Sequence, residues 1–350
     1  MSQVGVLILL GLARIAPLLL NNPQSSWHRD ALGMLDNAQA LAWGYVSYPP
    51  MAPFLARIAL VLFGPSLIGV RQFASPAMAA VMVLAGLIAR ELGGGRLAQA
   101  LAAFATGISP IQLLAGRMIS YSFLDCLWWV LTAYLVIRLL EFADARWWLA
   151  IGLVFGLGMM TKYVFAILIA AVGIGALLAP ARRFLRSPWL WAGAALSLFL
   201  ILPNLAWQIR HGFISLELMR WIHGRGVLIG RTASLIPEQF YFSANLAAIP
   251  VWIAGLVIRL AGGRSQKFRI LAWMGVIPLA LLIYLQGRAY YLAPAYPMLI
   301  AAGVVVTESW LARLSPGRSR LARIFGSVVL AAGGWPPPRS RSRSHQGARA

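Results

Sequence analysis

Nine carboxylates are spread over 350 residues, so each position that could do acid–base or anion chemistry stands out. Asp125 sits just inside an apolar run, after Ser120-Tyr121-Ser122-Phe123. A carboxylate carried toward the centre of a bilayer costs about 2.5–3.5 kcal/mol, less near the interface, so a polar partner or a cavity should accompany it. Lys162 and Arg288 carry the same argument with opposite sign. Cations at that depth either meet a lipid phosphate or snorkel to the headgroups. Asp30 follows Trp27-His28-Arg29 and begins a helical stretch, where it can cap the N-terminus and meet the positive end of the dipole. Asp36, Glu217 and Glu238 complete the acidic set on the same side, Glu238 as the dipole partner of a following helix. His28, His211 and His223 stand at no metal-ligand spacing, and the lone Cys126 excludes a disulfide framework or a cysteine-based metal site.

The elements that must hold these residues are membrane helices. Hydrophobic residues make up 60% of the chain and charged ones 11%, against roughly 25% charged in a soluble domain. Apolar runs bounded by charge, Pro or Gly predict helices at 3–21, 67–89, 97–115, 123–140, 147–160, 164–179, 189–206, 241–258, 270–286 and 291–307. The fold class expected is therefore an all-α polytopic bundle of about ten transmembrane helices. The runs on either side of Met160-Thr161-Lys162-Tyr163 are short, which predicts a turn there at the membrane face. Gly44 and Pro49-Pro50 predict a turn that leads an interfacial or re-entrant segment, 51–63, back to the bilayer.

The net charge of +21 does not signal nucleic-acid binding, because the 30 Lys and Arg lie between the apolar runs. Arg90 and Arg96, Arg138 and Arg146, Arg182, Arg183 and Arg186, Arg259, Arg264, Lys267 and Arg269, then Arg313, Arg318, Arg320 and Arg323 mark one set of loops, cytoplasmic by the positive-inside rule. Glu91, Glu141, Asp144 and Glu308 fall beside these arginines and read as solvated ion pairs. The other side carries segments 22–66 and 207–240 and the turns near Arg117 and Arg288. Arg210, Arg220, Arg225 and Arg231 make its second long segment basic enough for headgroups or a phosphate. Residues 1–20 lack a basic leader and a small-residue cleavage site, so they are expected to remain as the first helix. Residues 333–350 turn abruptly to Pro, Arg and Ser, a composition that cannot pack a core. That tail is expected to be disordered, either natural or the product of a truncation or frameshift that removed an eleventh helix.

Arg29-Asp30 with Trp43-Gly44-Tyr45 and Pro49-Pro50, then Gly156-Leu157-Gly158-Met159-Met160-Thr161-Lys162-Tyr163, then Tyr290-Tyr291-Leu292-Ala293-Pro294-Ala295-Tyr296-Pro297 occur in that order on the expected outer side. Together they resemble the bacterial branch of the protein O-mannosyltransferase-like glycosyltransferases, over roughly residues 1–325. The resemblance extends to the lipid A aminoarabinose transferases. It implies a GT-C-like bundle with a helical first periplasmic loop, in the bacterial inner membrane, with its active face periplasmic. It also implies transfer of a sugar from a polyprenyl-phosphate donor to a lipid, glycan or protein acceptor, with inversion. Asp30 matches the catalytic acidic position, as base or as the group that orients the acceptor. Lys162, Arg288 and Arg117 would hold the departing phosphate. Tyr45, Tyr48, Tyr290 and Tyr291 offer rings for sugar or lipid contact, or for interface anchoring.

One departure stands out. Many relatives carry an Asp-Glu pair where this chain has Asp30-Ala31. Either Asp30 acts alone, or Asp36 or Asp125 supplies a second carboxylate, or activity is impaired. A divalent cation has little support from such scattered oxygens, and no metal ligands are assigned. The competing readings are a truncated inactive homologue and a lipid or sugar transporter. A transporter would gather its ionisable residues at the midplane and not at one boundary.

Overall fold

The computed structural model describes residues 3–313 apart from 22–28, 67, 68, 70, 71, 117–119, 241–245 and 262, with backbone alone for 3, 4, 16–21, 29, 30 and 263–265. Residues 314–350, including the expected tail, lie outside it, as do Arg117 and His28. Among the described residues there is no strand. The helices are α1 (Gln3–Asn21), α2 (Arg29–Gln39), α3 (Met51–Phe63), α4 (Ala74–Glu91), α5 (Arg96–Gly107), α6 (Pro110–Ala115), α7 (Tyr121–Phe142), α8 (Trp147–Met159), α9 (Ala166–Leu177) and α10 (Pro188–Arg210). They continue as α11 (Ile214–Leu228), α12 (Leu235–Glu238), α13 (Ile249–Ala261), α14 (Arg269–Tyr284) and α15 (Tyr296–Leu311), with short 3-10 turns between several of them.

Each of the ten expected intervals holds a helix, but among the described residues five stretches are long and apolar enough to cross a bilayer unaided: Ala74–Glu91, Tyr121–Phe142, Pro188–Arg210, Gln266–Tyr284 and Ala289–Leu311. A sixth, Tyr163–Leu177 with Pro180–Arg186, is bent by 105°, and four shorter apolar helices accompany them. The chain is thus multi-pass, with several spans built from pieces. The interval 97–115 shows why. Pro110 drives the preceding Ser109 to extended backbone (φ −63°, ψ 135°), so α5 ends and α6 restarts at the proline.

Helix α7 and the span Ala289–Leu311, which contains α15, are the most enclosed, with apolar windows 72% and 78% buried, whereas that of α10 is 17% buried and faces outward. Helix α7 packs on α4 and α8, α15 joins α13 to α4 and α5, and α8 meets α10. In lipid the drive between helices is close packing and not water exclusion, so small residues mark the contacts. A Cβ on Gly152 would strike the Gly193 carbonyl across the α8–α10 seam, and one on Gly303 would strike that of Val251 across α13–α15.

The expected solvated ion pairs are more varied. Arg138 pairs with Glu91 at 3.4 Å and Lys267 with Glu141 at 2.6 Å. Asp144 instead accepts the backbone N–H of Arg146, and Glu308 accepts from the N–H groups of Gly95 and Ala98, so it caps α5 from another helix.

Candidate functional site

Helix α8 ends where Met160, Thr161 and Lys162 turn back on Gly156 and Gly158, the N–H groups of Thr161 and Lys162 both meeting the Gly158 carbonyl. Lys162 itself is extended (φ −161°, ψ 125°) before a 3-10 turn, Tyr163–Phe165. The turn is buried. Thr161 donates to the Leu157 carbonyl at 2.7 Å and accepts from the indole of Trp128 at 3.0 Å. Met51, at the start of α3, donates to the Met160 carbonyl at 3.0 Å. A cation is thereby held in the interior by backbone geometry.

Its partner comes from α7. Lys162 Nζ donates to Asp125 Oδ2 at 2.7 Å, with Lys162 7% and Asp125 3% exposed. Three tyrosine rings surround the same ammonium, with centroids 5.6 Å (Tyr121), 5.5 Å (Tyr290) and 4.8 Å (Tyr291) away. The partner that an apolar run demands for Asp125 is therefore the same lysine whose depth suits a phosphate. A lysine cannot be buried without compensation. Here one carboxylate and three π faces supply it, leaving further Nζ donor capacity.

Lys162 opens onto a cavity of about 470 Å³. One part of the lining is cationic, with Lys162, Arg288, Arg220 and Arg231 beside His223. Val164, Ile167, Leu216, Met219, Leu282 and Leu285 form an apolar wall, and Tyr48, Tyr121 and Tyr291 stand between. Arg288 follows a strained turn in which Gln286 adopts φ 46° and Gly287 donates to the Leu282 carbonyl at 2.7 Å. Burial works against the Arg288 charge, but the neighbouring Tyr290, Tyr291 and Tyr121 outweigh it and hold its pKa above the ordinary arginine value.

The first loop reaches the cavity through Ser47, Tyr48 and Pro49. On α2, Ala31, Met34 and Ala38 are buried and Asp36 is exposed on the opposite face. Asp30 is the second residue of α2, and its side chain lies outside the described residues. The positions three and seven residues on, Gly33 and Asn37, face Tyr48: Asn37 donates to its hydroxyl at 2.6 Å, and a Cβ on Gly33 would lie 3.8 Å from it. Ala31 is packed into the core.

Tyr45 is a loop brace, accepting from the Ala42 N–H at 3.0 Å and donating to the Asn37 carbonyl at 3.1 Å. The structure brings together Tyr48, Lys162, Arg288, Tyr291 and, one layer back, Asp125 and Tyr290. Asp36 and Tyr45 lie outside this group.

Sequence reasoning misses two features. Helix α11 turns the segment 207–240 into a wall of the cavity, bringing Arg220 and His223 inward. The basic character of that segment is plain in the sequence, but which way its helix faces depends on a tertiary partner. The second feature is a buried polar chain. Gln208 of α10 donates to the Tyr163 hydroxyl and to Ser215, both at 2.6 Å. Ser215 donates to the Tyr45 carbonyl at 2.9 Å. Asn204 donates to the Trp43 carbonyl at 2.8 Å and accepts from Tyr163 at 3.3 Å. The chain ties the first loop to α10, α11 and the residue after Lys162. The remaining titratable residues of this side have local duties: His211 stacks on Trp207 with ring centroids 4.0 Å apart, Glu238 accepts from Ser234 at 2.6 Å, and Glu217 lies in the first turn of α11. Among the described residues no three His, Cys, Asp or Glu side chains gather to hold a metal ion.

The chain is similar to known proteins in sequence and in fold. Residues 47–207 match the family described as dolichyl-phosphate-mannose-protein mannosyltransferase. The lipid A galacturonosyltransferase RgtD of Rhizobium johnstonii is 27% identical over 296 residues, 81% of this chain and 60% of that protein. The undecaprenyl phosphate-alpha-4-amino-4-deoxy-L-arabinose arabinosyl transferase 1 of Pseudomonas fluorescens is 27% identical over 83% of this chain and 54% of its own length. The chain thus spans little more than half the length of the curated relatives it matches. In fold it is similar to ArnT from Cupriavidus metallidurans bound to undecaprenyl phosphate, with a TM-score of 0.66 and 16% identity over 95% of this chain and 64% of that one. The oligosaccharyltransferase AglB from Archaeoglobus fulgidus, in complex with an inhibitory peptide and a dolichol-phosphate, aligns with a TM-score of 0.61 and 15% identity over 96% of this chain and 56% of that one. The sequence resemblance to the protein O-mannosyltransferase-like and aminoarabinose transferases therefore stands, and with it the GT-C fold.

Proposed function

We propose that this chain, a GT-C-fold relative of the protein O-mannosyltransferases and the lipid A aminoarabinose transferases, moves a sugar from a polyprenyl-phosphate donor to an acceptor hydroxyl at the periplasmic face of the inner membrane. The observation that carries the reading is the cavity, cationic at Lys162, Arg288, Arg220 and Arg231 and apolar along Ile167, Leu216 and Leu282. Such a surface fits an anionic head on a greasy tail. In the reaction the acceptor oxygen attacks the anomeric carbon from the face opposite the phosphate, and the bond from that carbon to the phosphate oxygen breaks with inversion. Asp30 receives the acceptor proton or orients the hydroxyl that loses it. Polyprenyl phosphate departs as an anion, so its charge needs cations already in position and not a proton donor. Lys162 fills that role as a fixed cation clamped by Asp125, and Arg288 as a second, with Arg117 as a third candidate from outside the described residues. Tyr48, Tyr290 and Tyr291 would contact sugar or lipid around them. Within this assignment residues 1–325 form the transferase domain, and the acceptor is a lipid, glycan or protein.

The test is transfer of radiolabelled sugar from polyprenyl-phosphate donors in membranes carrying the chain, beside Asp30→Asn at equal expression. Loss of about 10²–10⁴-fold in the variant is expected of a general base. Equal transfer by both forms would remove Asp30 from the mechanism. No transfer from any donor, together with activity once a full-length C-terminal region from a relative is restored, would identify the chain as an inactive truncated product.

A further inference from the structure

Helix α14 runs from Arg269 to Tyr284, so its first turn stands about 22 Å from the cavity at its far end. At that distant end the 3-10 segment Gly263–Phe268 packs against α7, α13, α14 and the turn Pro180–Arg186. Arg259, in the last turn of α13, is 6% exposed. Its guanidinium lies over Phe268, 5.8 Å from the ring centroid, and its buried Nε has no partner. Among the described residues Arg259 makes no hydrogen bond and no ion pair. Arg269 adds a second buried Nε without a partner. Arg182, Arg183 and Arg186 stand exposed on the adjoining turn.

No acidic side chain described at this end is available to neutralise Arg259. Glu141 is taken by Lys267 at 2.6 Å, Glu91 by Arg138 at 3.4 Å, Asp144 by the Arg146 N–H and Glu308 by the N-terminus of α5. The negative end of the α13 dipole offsets only a fraction of the desolvation of a buried guanidinium. A counter-charge from outside the chain would answer this imbalance. Ile258, next to Arg259 on the same helix, is exposed and in a membrane meets acyl chains, so an anion at Arg259 would sit near lipid.

We propose that Arg259 binds the phosphate of an anionic phospholipid from the leaflet at this end of the bundle, with an acyl chain beside Ile258. Arginine suits the role because its planar fork presents paired donors to phosphate oxygens. The site is separate from the cavity and has no part in sugar transfer.

Native mass spectrometry of the purified full chain, titrated with phosphatidylglycerol, phosphatidylcholine or inorganic phosphate, tests it. Wild type should retain phosphatidylglycerol about fivefold over phosphatidylcholine, the factor expected of one cation at a charged interface. Arg259→Gln should lose that preference, whereas Arg313→Gln, on an exposed residue at the end of α15, should keep it. Arg259→Lys, which retains the charge, should fold and keep part of it if Arg259→Gln cannot be purified. Equal retention of the two lipids by wild type overturns the proposal without any variant. So does a preference that survives in Arg259→Gln, and so does inorganic phosphate that competes as well as the lipid, which would make this a free-anion site.

Discussion

Removing the carboxylate beside Lys162 separates a structural ion pair from a poised phosphate cradle. Asp125→Asn keeps the shape of the side chain and deletes its charge, leaving an ammonium 7% exposed with three tyrosine faces for company. Breaking a buried pair by removing one partner costs about 3–5 kcal/mol. A ceiling exists because the lysine can shed its proton, which at pH 7 costs about 4.6 kcal/mol for an ordinary lysine, and the two figures agree. Lys267 and Glu141 supply the control: their contact is as short, 2.6 Å, but the side chains are 42% and 40% exposed. Glu141→Gln should therefore cost no more than about 1 kcal/mol. Thermal unfolding of purified protein in detergent, with and without undecaprenyl phosphate, reads both effects. Without ligand Asp125→Asn should melt well below Glu141→Gln. With ligand, phosphate becomes the missing counter-charge for Lys162, so the deficit of Asp125→Asn should shrink while that of Glu141→Gln stays. A wild-type shift of about 2.7 kcal/mol is expected at a hundredfold excess over Kd, and the Asp125→Asn shift should exceed it. Equal cost for the two variants would refute the burial argument. An Asp125→Asn deficit untouched by undecaprenyl phosphate would show that Lys162 does not face the donor.

Two further outcomes follow from the same geometry. Arg288→Gln removes a half-buried cation whose charge is supported by Tyr290 and Tyr291. A hydrogen bond to a charged group is worth about 1.5–3 kcal/mol, so undecaprenyl phosphate affinity should fall between about tenfold and a hundredfold, and unchanged affinity by equilibrium binding would dismiss Arg288 as a phosphate ligand. Gly152→Ala pushes a methyl into the Gly193 backbone, an overpacking expected to cost about 1–3 kcal/mol. Gly173→Ala, where nothing lies within 4 Å of the added Cβ, should leave the melting temperature in place, and equal behaviour of the two would mean that the α8–α10 seam yields easily.

What is legible in the sequence is what the bilayer dictates residue by residue. A carboxylate inside an apolar run needs a partner, and Asp125 has one. Short runs on either side of Met160-Thr161-Lys162-Tyr163 predict a turn, and the α8 backbone does break there. Gly44 and Pro49-Pro50 predict a turn before 51–63, and the helix α3 does start directly after Pro50. The identity of partners is not legible, because pairing is a tertiary fact. Nothing local shows that Lys162 and Asp125, 37 residues apart, meet each other before either meets a ligand. Nor does single-residue reasoning find the chain from Gln208 through Tyr163 and Ser215 to the first loop. Its members are neutral amides and hydroxyls whose significance lies only in being buried together. The expected ion pairs fail at Glu308 for a related reason. Its nearest arginines in sequence make a salt bridge the economical expectation, but the exposed N–H groups of α5, over two hundred residues away in sequence, offer a charge-assisted bond at a helix N-terminus. Positions are therefore readable where the solvent imposes the rule, and unreadable where a distant helix supplies the second half of the interaction.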